Sequence, residues 1–121
     1  MTIKQDRMAD RIMGILSELL LREISDPRLQ GLTVTEVKVD REFMYCNIYV
    51  NALGEEERQE EVMAGLASAN GFLRREVGKR IRLRNTPELH FHWDHTLERA
   101  EHINRLISSL DIPPAPEEPD D

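Results

Sequence analysis

Cysteine is almost absent from the 121 residues: Cys46 stands alone, so no disulfide can close within the chain. A single thiol suits a reducing compartment without naming one. Aromatic residues make up only 5% of the sequence, and no apolar run approaches the roughly 20 residues that a membrane-spanning helix needs. The opening stretch MTIKQDRMAD lacks the apolar core of a secretory signal, so the protein is expected to stay in the cytosol where it is made. Basic residues are outnumbered, 16 Lys and Arg against 23 Asp and Glu, which leaves a formal charge of −7. Any basic surface on such a chain has to be local.

What is present fits one modest domain. A hydrophobic content of 40% supports a single core over residues 1–111, and the last ten residues, 112–121, end in PPAPEEPDD, an acidic proline-rich stretch expected to be a disordered tail. Met8, Ile12, Ile15, Leu16 and Leu19 share one helical face and predict a helix over about 6–23, which Ser25-Asp26-Pro27 ends. LTVTEVKV, 32–39, and FMYCNIYVN, 43–51, read as strands joined by the short turn DRE. In the second, Met44, Cys46, Ile48 and Val50 are expected to face inward; in the first, the apolar phase changes at Glu36, as at a bulge. Cys46 is thus a core residue rather than a reactive thiol.

From Glu56 to Leu83 the pattern is helical, carried by Val62, Leu66, Ala69, Leu73, Val77 and Ile81. A straight helix of that span would be on the order of 40 Å long, and the Asn70-Gly71 pair is the cheapest place to bend it, so two helices meeting at a kink are expected. ELHFHW, 88–93, reads as a third strand with Leu89, Phe91 and Trp93 on one side. A final helix over about 96–110 would carry Ala100, Ile103, Leu106, Ile107 and Leu110. A right-handed helical crossover would set the second and third strands parallel, giving an α+β two-layer sandwich with helices on one face of a small mixed sheet.

The segment SANGFLRREVGKRIRLR, 68–84, gathers six of the sixteen cationic residues. On a helical wheel Leu73, Val77 and Ile81 form the inner stripe, while Arg75, Lys79 and Arg82 fall nearly opposite beside Gly71 and Gly78. Glycines admit a partner close to the helix backbone and arginines offer forked donors, a combination suited to a phosphodiester chain. Arg74, Arg80 and Arg84 flank this ridge, and Arg7 and Arg11 are candidates to extend it from the first helix. The plain alternative is a solvated charged face. His90, His92, His95 and His102 show no recognised metal spacing, Ser25 and Asp26 make an ordinary turn, and Tyr45 and Tyr49 read better as cross-strand packing than as base-stacking groups. Neither a metal, nor another cofactor, nor an enzyme active site is expected.

ISDPRL, VTEVKV, YCNIYV, the ANG of Ala69, Asn70 and Gly71, FLRREVGKRIRLR and TPELHFHWD together resemble the ribosome-binding factor A proteins over about residues 5–110. The resemblance implies a type II KH-like fold in which an Ala-x-Gly interhelical kink replaces the GxxG loop. It also implies a monomeric binding factor, not an enzyme, that associates with the free 30S subunit through 16S rRNA. Such proteins act late in subunit maturation and in 5′-end processing of 16S rRNA, and support growth in the cold. The chain departs from the family pattern at Arg41-Glu42-Phe43, where an Asp-Leu pair is common, and in its acidic tail. The rival expectation is an acidic adaptor that docks on a ribosomal protein or an assembly GTPase.

Overall fold

The computed structural model describes residues 2–52 and 55–96. Helix α1, Ile3–Arg22, starts ahead of the expected position because Thr2 and Gln5 form a capping box, each backbone N–H bonded to the other's side chain at 3.1 Å. Gln5 Nε2 also donates to the Val39 carbonyl at 3.0 Å, which anchors this end of the helix over the end of β1. Ala9, Ile12, Leu16, Leu19 and Leu20 are its buried stripe. Beyond it, Asp26 caps a short 3-10 turn, Pro27–Leu29, by accepting from the Arg28 backbone at 2.9 Å and from the Arg28 guanidinium at 2.7 Å.

β1, Thr33–Val39, pairs antiparallel with β2, Tyr45–Asn51. The register shifts between Val34 and Glu36, so Val34, Val37 and Val39 all face the core although their spacing breaks strict alternation. Cys46, Ile48 and Val50 are fully buried on β2. Met44 is not: it stands 58% exposed just outside the strand, which corrects the expectation of an inward side chain. The turn explains this. Asp40 Oδ1 accepts from the Met44 and Tyr45 backbones at 2.7 and 2.8 Å, and Phe43 takes a left-handed φ of 57° and packs against the core in place of Met44.

β3, Glu88–Trp93, lies parallel to β2, with Tyr45 beside Glu88 and Val50 beside Trp93. The order β1-β2-β3 therefore forms the predicted mixed sheet, with α1 over β1 and α2 over β3. Leu89 and Trp93 are buried, and Phe91 packs partly buried against the same core.

The long helical segment differs from its prediction. After a 3-10 turn, Glu56–Arg58, a single helix α2 runs unbroken through Asn70 and Gly71 over Gln59–Arg80, so the expected pair of helices meeting at a kink is one element. Gly71 does not adopt a left-handed φ. Three causes act together. Val62, Leu66, Leu73 and Val77, each no more than 1% exposed, hold both halves to the core. The Asn70 amide donates to the Leu89 carbonyl at 3.0 Å instead of competing for helix backbone. The cost of a helical glycine, about 1 kcal/mol, is small against that burial. The helix also stops before the expected Leu83: Ile81 is extended at φ −114° and ψ 152°, and remains buried. The expected helix over 96–110 and the acidic tail lie outside the described residues.

Candidate nucleic-acid interface

The exposed face of α2 begins where its backbone is least covered. A β-carbon at Gly71 would meet only the Arg75 guanidinium, at 3.5 Å, so these two residues, one helical turn apart, form an open cationic surface. Ala69 and Asn70 are half-buried: Ala69 packs on the core and Asn70 ties the helix to β3.

The other basic residues divide by what they touch. Arg75, Arg82 and Arg84 are exposed and make no ion pair or hydrogen bond among the described residues. Lys79 also projects, 71% exposed, though it pairs at 2.9 Å with Glu76, whose side chain is only 14% exposed. Arg80 is committed elsewhere. It bridges Glu76 at 3.0 Å and Glu23, the C-cap of α1, at 3.1 Å, joining the ends of the two helices. The Lys79 ammonium, then the Arg80 guanidinium, hold the Glu76 carboxyl below its ordinary pKa, so it stays ionised beneath the ridge. Arg74 donates to the Thr86 carbonyl at 2.8 Å and Arg11 to the Arg80 carbonyl at the end of α2; both serve the frame first. Arg7 is exposed on α1, one turn before Arg11.

Two expectations need correction here. Arg82 and Arg84 follow the last helical residue, so they extend the cationic surface from an irregular segment instead of completing a helical ridge. Gly78 is covered, because the chain folds back after Ile81 and a β-carbon at Gly78 would run into the Thr86 hydroxyl. It seats Thr86 and offers no open backbone to a partner. The structure also brings in residues that the sequence reading passed over. Glu76 was legible, since it stands three and four positions before Lys79 and Arg80. Glu23 and Thr86 join the site only through tertiary packing.

The open face of the sheet carries a separate group. Tyr49 stacks on His92 at 5.1 Å between ring centroids, Tyr45 meets His90 edge-on at 5.8 Å, and Lys38 sits 5.9 Å from the Tyr49 ring. His90 lies 3.4 Å from Glu88, and His92 shares a 2.8 Å hydrogen bond with Asn47. Among the described residues no three His, Cys, Asp or Glu side chains gather as metal ligands would, and no helix is long and apolar enough to cross a membrane. Cys46 is sealed in the core, and burial pushes its thiol up to about 12.

The family model for ribosome-binding factor A matches residues 4–107. A ribosome-binding factor A from Dictyoglomus thermophilum is 41% identical over 110 residues, which cover 90% of this chain and 92% of that protein. The crystal structure of ribosome-binding factor A from Thermus thermophilus superposes with a TM-score of 0.66 at 28% identity, over 74% of this chain and 93% of that one. A homology model of the Thermus thermophilus ribosome-binding factor A, as fitted into the cryo-EM map of a complex of the 30S subunit with ribosome-binding factor A, matches with a TM-score of 0.58 at 29% identity, over 72% and 91% of the two chains. With the three-stranded mixed sheet and two α-helices of its described residues and with its matched length, this chain belongs to the ribosome-binding factor A family.

Proposed function

We propose that this protein binds the free 30S subunit through 16S rRNA and assists late subunit maturation, including 5′-end processing of that RNA. The carrying observation is a run of exposed cations, Arg75, Lys79, Arg82 and Arg84, that follows the open backbone at Gly71, on a protein whose net charge is otherwise acidic. Forked guanidinium donors suit phosphate oxygens, and the acidic remainder keeps the protein from lying on RNA in other orientations. Arg74, Arg80 and Arg11 hold the scaffold behind this surface, Gly78 seats the returning chain, and Arg7 lies on the flank. The complex described for the Thermus relative supports the choice of partner.

Replacing Arg75, Arg82 and Arg84 together by Gln tests the assignment, because none of the three holds the fold together. The expected result is weaker binding to free small subunits and to 16S rRNA, with the slope of log K against log salt falling by about two to three units. Thermal stability should be nearly unchanged. An unchanged slope would remove the surface from the RNA contact. Salt-insensitive binding to a ribosomal protein or assembly GTPase, without binding to RNA, would favour an adaptor.

A further inference from the structure

A cleft of about 290 Å³ opens between the end of α1 and the middle of α2, lined by Glu23, Ile24, Ser25, Asp26, Ser68, Ala69 and Phe72. Its place on α2 is the first argument. Ser68, Gly71 and Arg75 follow the i, i+3, i+7 spacing of one helix face, so the cleft lies beside the cationic surface, roughly 10 Å along the helix axis from Arg75. Composition is the second. Ile24, Ala69 and Phe72 supply apolar walls and are half-buried, while Ser25 and Ser68 are exposed hydroxyls. Charge is the third. The Asp26 carboxylate is satisfied by Arg28, which lowers its pKa, and Glu23 Oε2 by Arg80, while Glu23 Oε1 has no hydrogen bond among the described residues. The rim is thus close to electrically neutral and retains acceptors, whereas the neighbouring surface attracts phosphate.

Resting on the reading of that surface as the phosphate seat, we infer that the cleft receives one unpaired nucleobase of the bound RNA. Its size is just below the roughly 300–1,000 Å³ of drug-sized sites and suits a single planar group. The base would lie against Phe72 and the Ile24 and Ala69 side chains, with its amino or ring N–H groups facing the serine hydroxyls and Glu23. A second planar partner such as a protein aromatic would not need the phosphate surface next door.

The test compares a single-stranded RNA octamer with an abasic octamer of equal charge, each titrated against the full chain. The native protein is expected to prefer the base-containing strand by about tenfold or more. Two variants probe the cleft: Phe72→Leu keeps apolar volume while removing the ring, and Ser68→Leu fills the mouth from an exposed position. Both should shrink the preference to within about twofold and leave the salt slope intact, whereas loss of Arg75, Arg82 and Arg84 lowers the slope. If the abasic strand binds the native protein as tightly, or if both variants keep the full preference, the cleft takes no base; an apolar side chain of a ribosomal protein would then be its occupant. If neither strand binds the native protein, the phosphate surface falls and the cleft assignment with it.

Discussion

Two glycines of α2 place opposite demands on a methyl group. Gly71 has a helical φ and open space around it, so Gly71→Ala is expected to stabilise the fold by up to about 1 kcal/mol through helix propensity and a less flexible unfolded chain. The added methyl also narrows the approach beside Arg75, so binding to free small subunits should weaken while the melting temperature rises. Gly78→Ala should do the reverse in stability. The Thr86 hydroxyl occupies the space that the new methyl needs, so the Thr86 side chain has to leave its rotamer or the returning segment, whose Thr86 carbonyl holds Arg74, has to move. Overpacking of this kind costs about 1–3 kcal/mol, more than the propensity gained, and urea unfolding of the two variants should move in opposite directions. Cys46 offers a simpler test. With its thiol buried and pushed up to about 12, it should resist thiol reagents at pH 8 until denaturant opens the core.

At the scale of elements, stability depends on a few polar ties between helix and sheet. Gln5 makes one of them, bonding the end of β1, and also closes the capping box of α1. Gln5→Ala should cost about 1–3 kcal/mol in chemical denaturation, because it removes a cap and leaves the Val39 carbonyl without its partner. Most elements were legible in the sequence, because each strand and helix repeats one spacing: even the bulge showed, as a broken phase between Val34 and Val37. Boundaries and bends were less so. The helix break assigned to Asn70-Gly71 weighed the length of a straight helix and local propensity, while the deciding forces were the burial of Leu66 and Leu73 on either side and the reach of Asn70 to β3. Likewise Met44 continued the alternation on paper, but the Asp40 carboxylate bends the chain before the strand begins. The cationic cluster could be read from spacing. Which cations are free for a partner could not, since Glu23 and Thr86 come from distant parts of the chain.

At the scale of the whole molecule, acid sensitivity gathers in a few ionised carboxylates, most of them bonded locally and one, Asp94, across the fold. Asp94 at the end of β3 accepts from the Thr35 hydroxyl at 2.6 Å and from the Thr96 backbone, while Asn51 donates to its carbonyl. Hydrogen bonds from Thr35 and Thr96 lower its pKa; Arg28 does the same for Asp26, the Tyr45 backbone for Asp40, and Lys79 for Glu76. A carboxyl lowered by folding binds fewer protons folded than unfolded, so its stabilisation is complete above the unfolded pKa of about 4 and is lost as pH falls through the folded value. The melting temperature should therefore be flat from neutral pH to about 5 and decline below about 4, modestly, because these groups meet solvent. Asp94→Asn should reduce that acid-side loss. The parallel pairing of β2 with β3 bears on how the protein is made. A ribosome delivers α1, β1 and β2 in quick succession, but β2 must wait for all of α2 before β3 emerges to cover its second edge. Until then the nascent chain carries a bare strand edge beside Cys46, Ile48 and Val50, a template for wrong pairing. Stalled chains that expose only residues before Glu88 should be cut readily by protease, and chains that expose the segment through Trp93 should resist it. A factor assigned to ribosome assembly would thus complete its own sheet only late in its passage out of a finished ribosome.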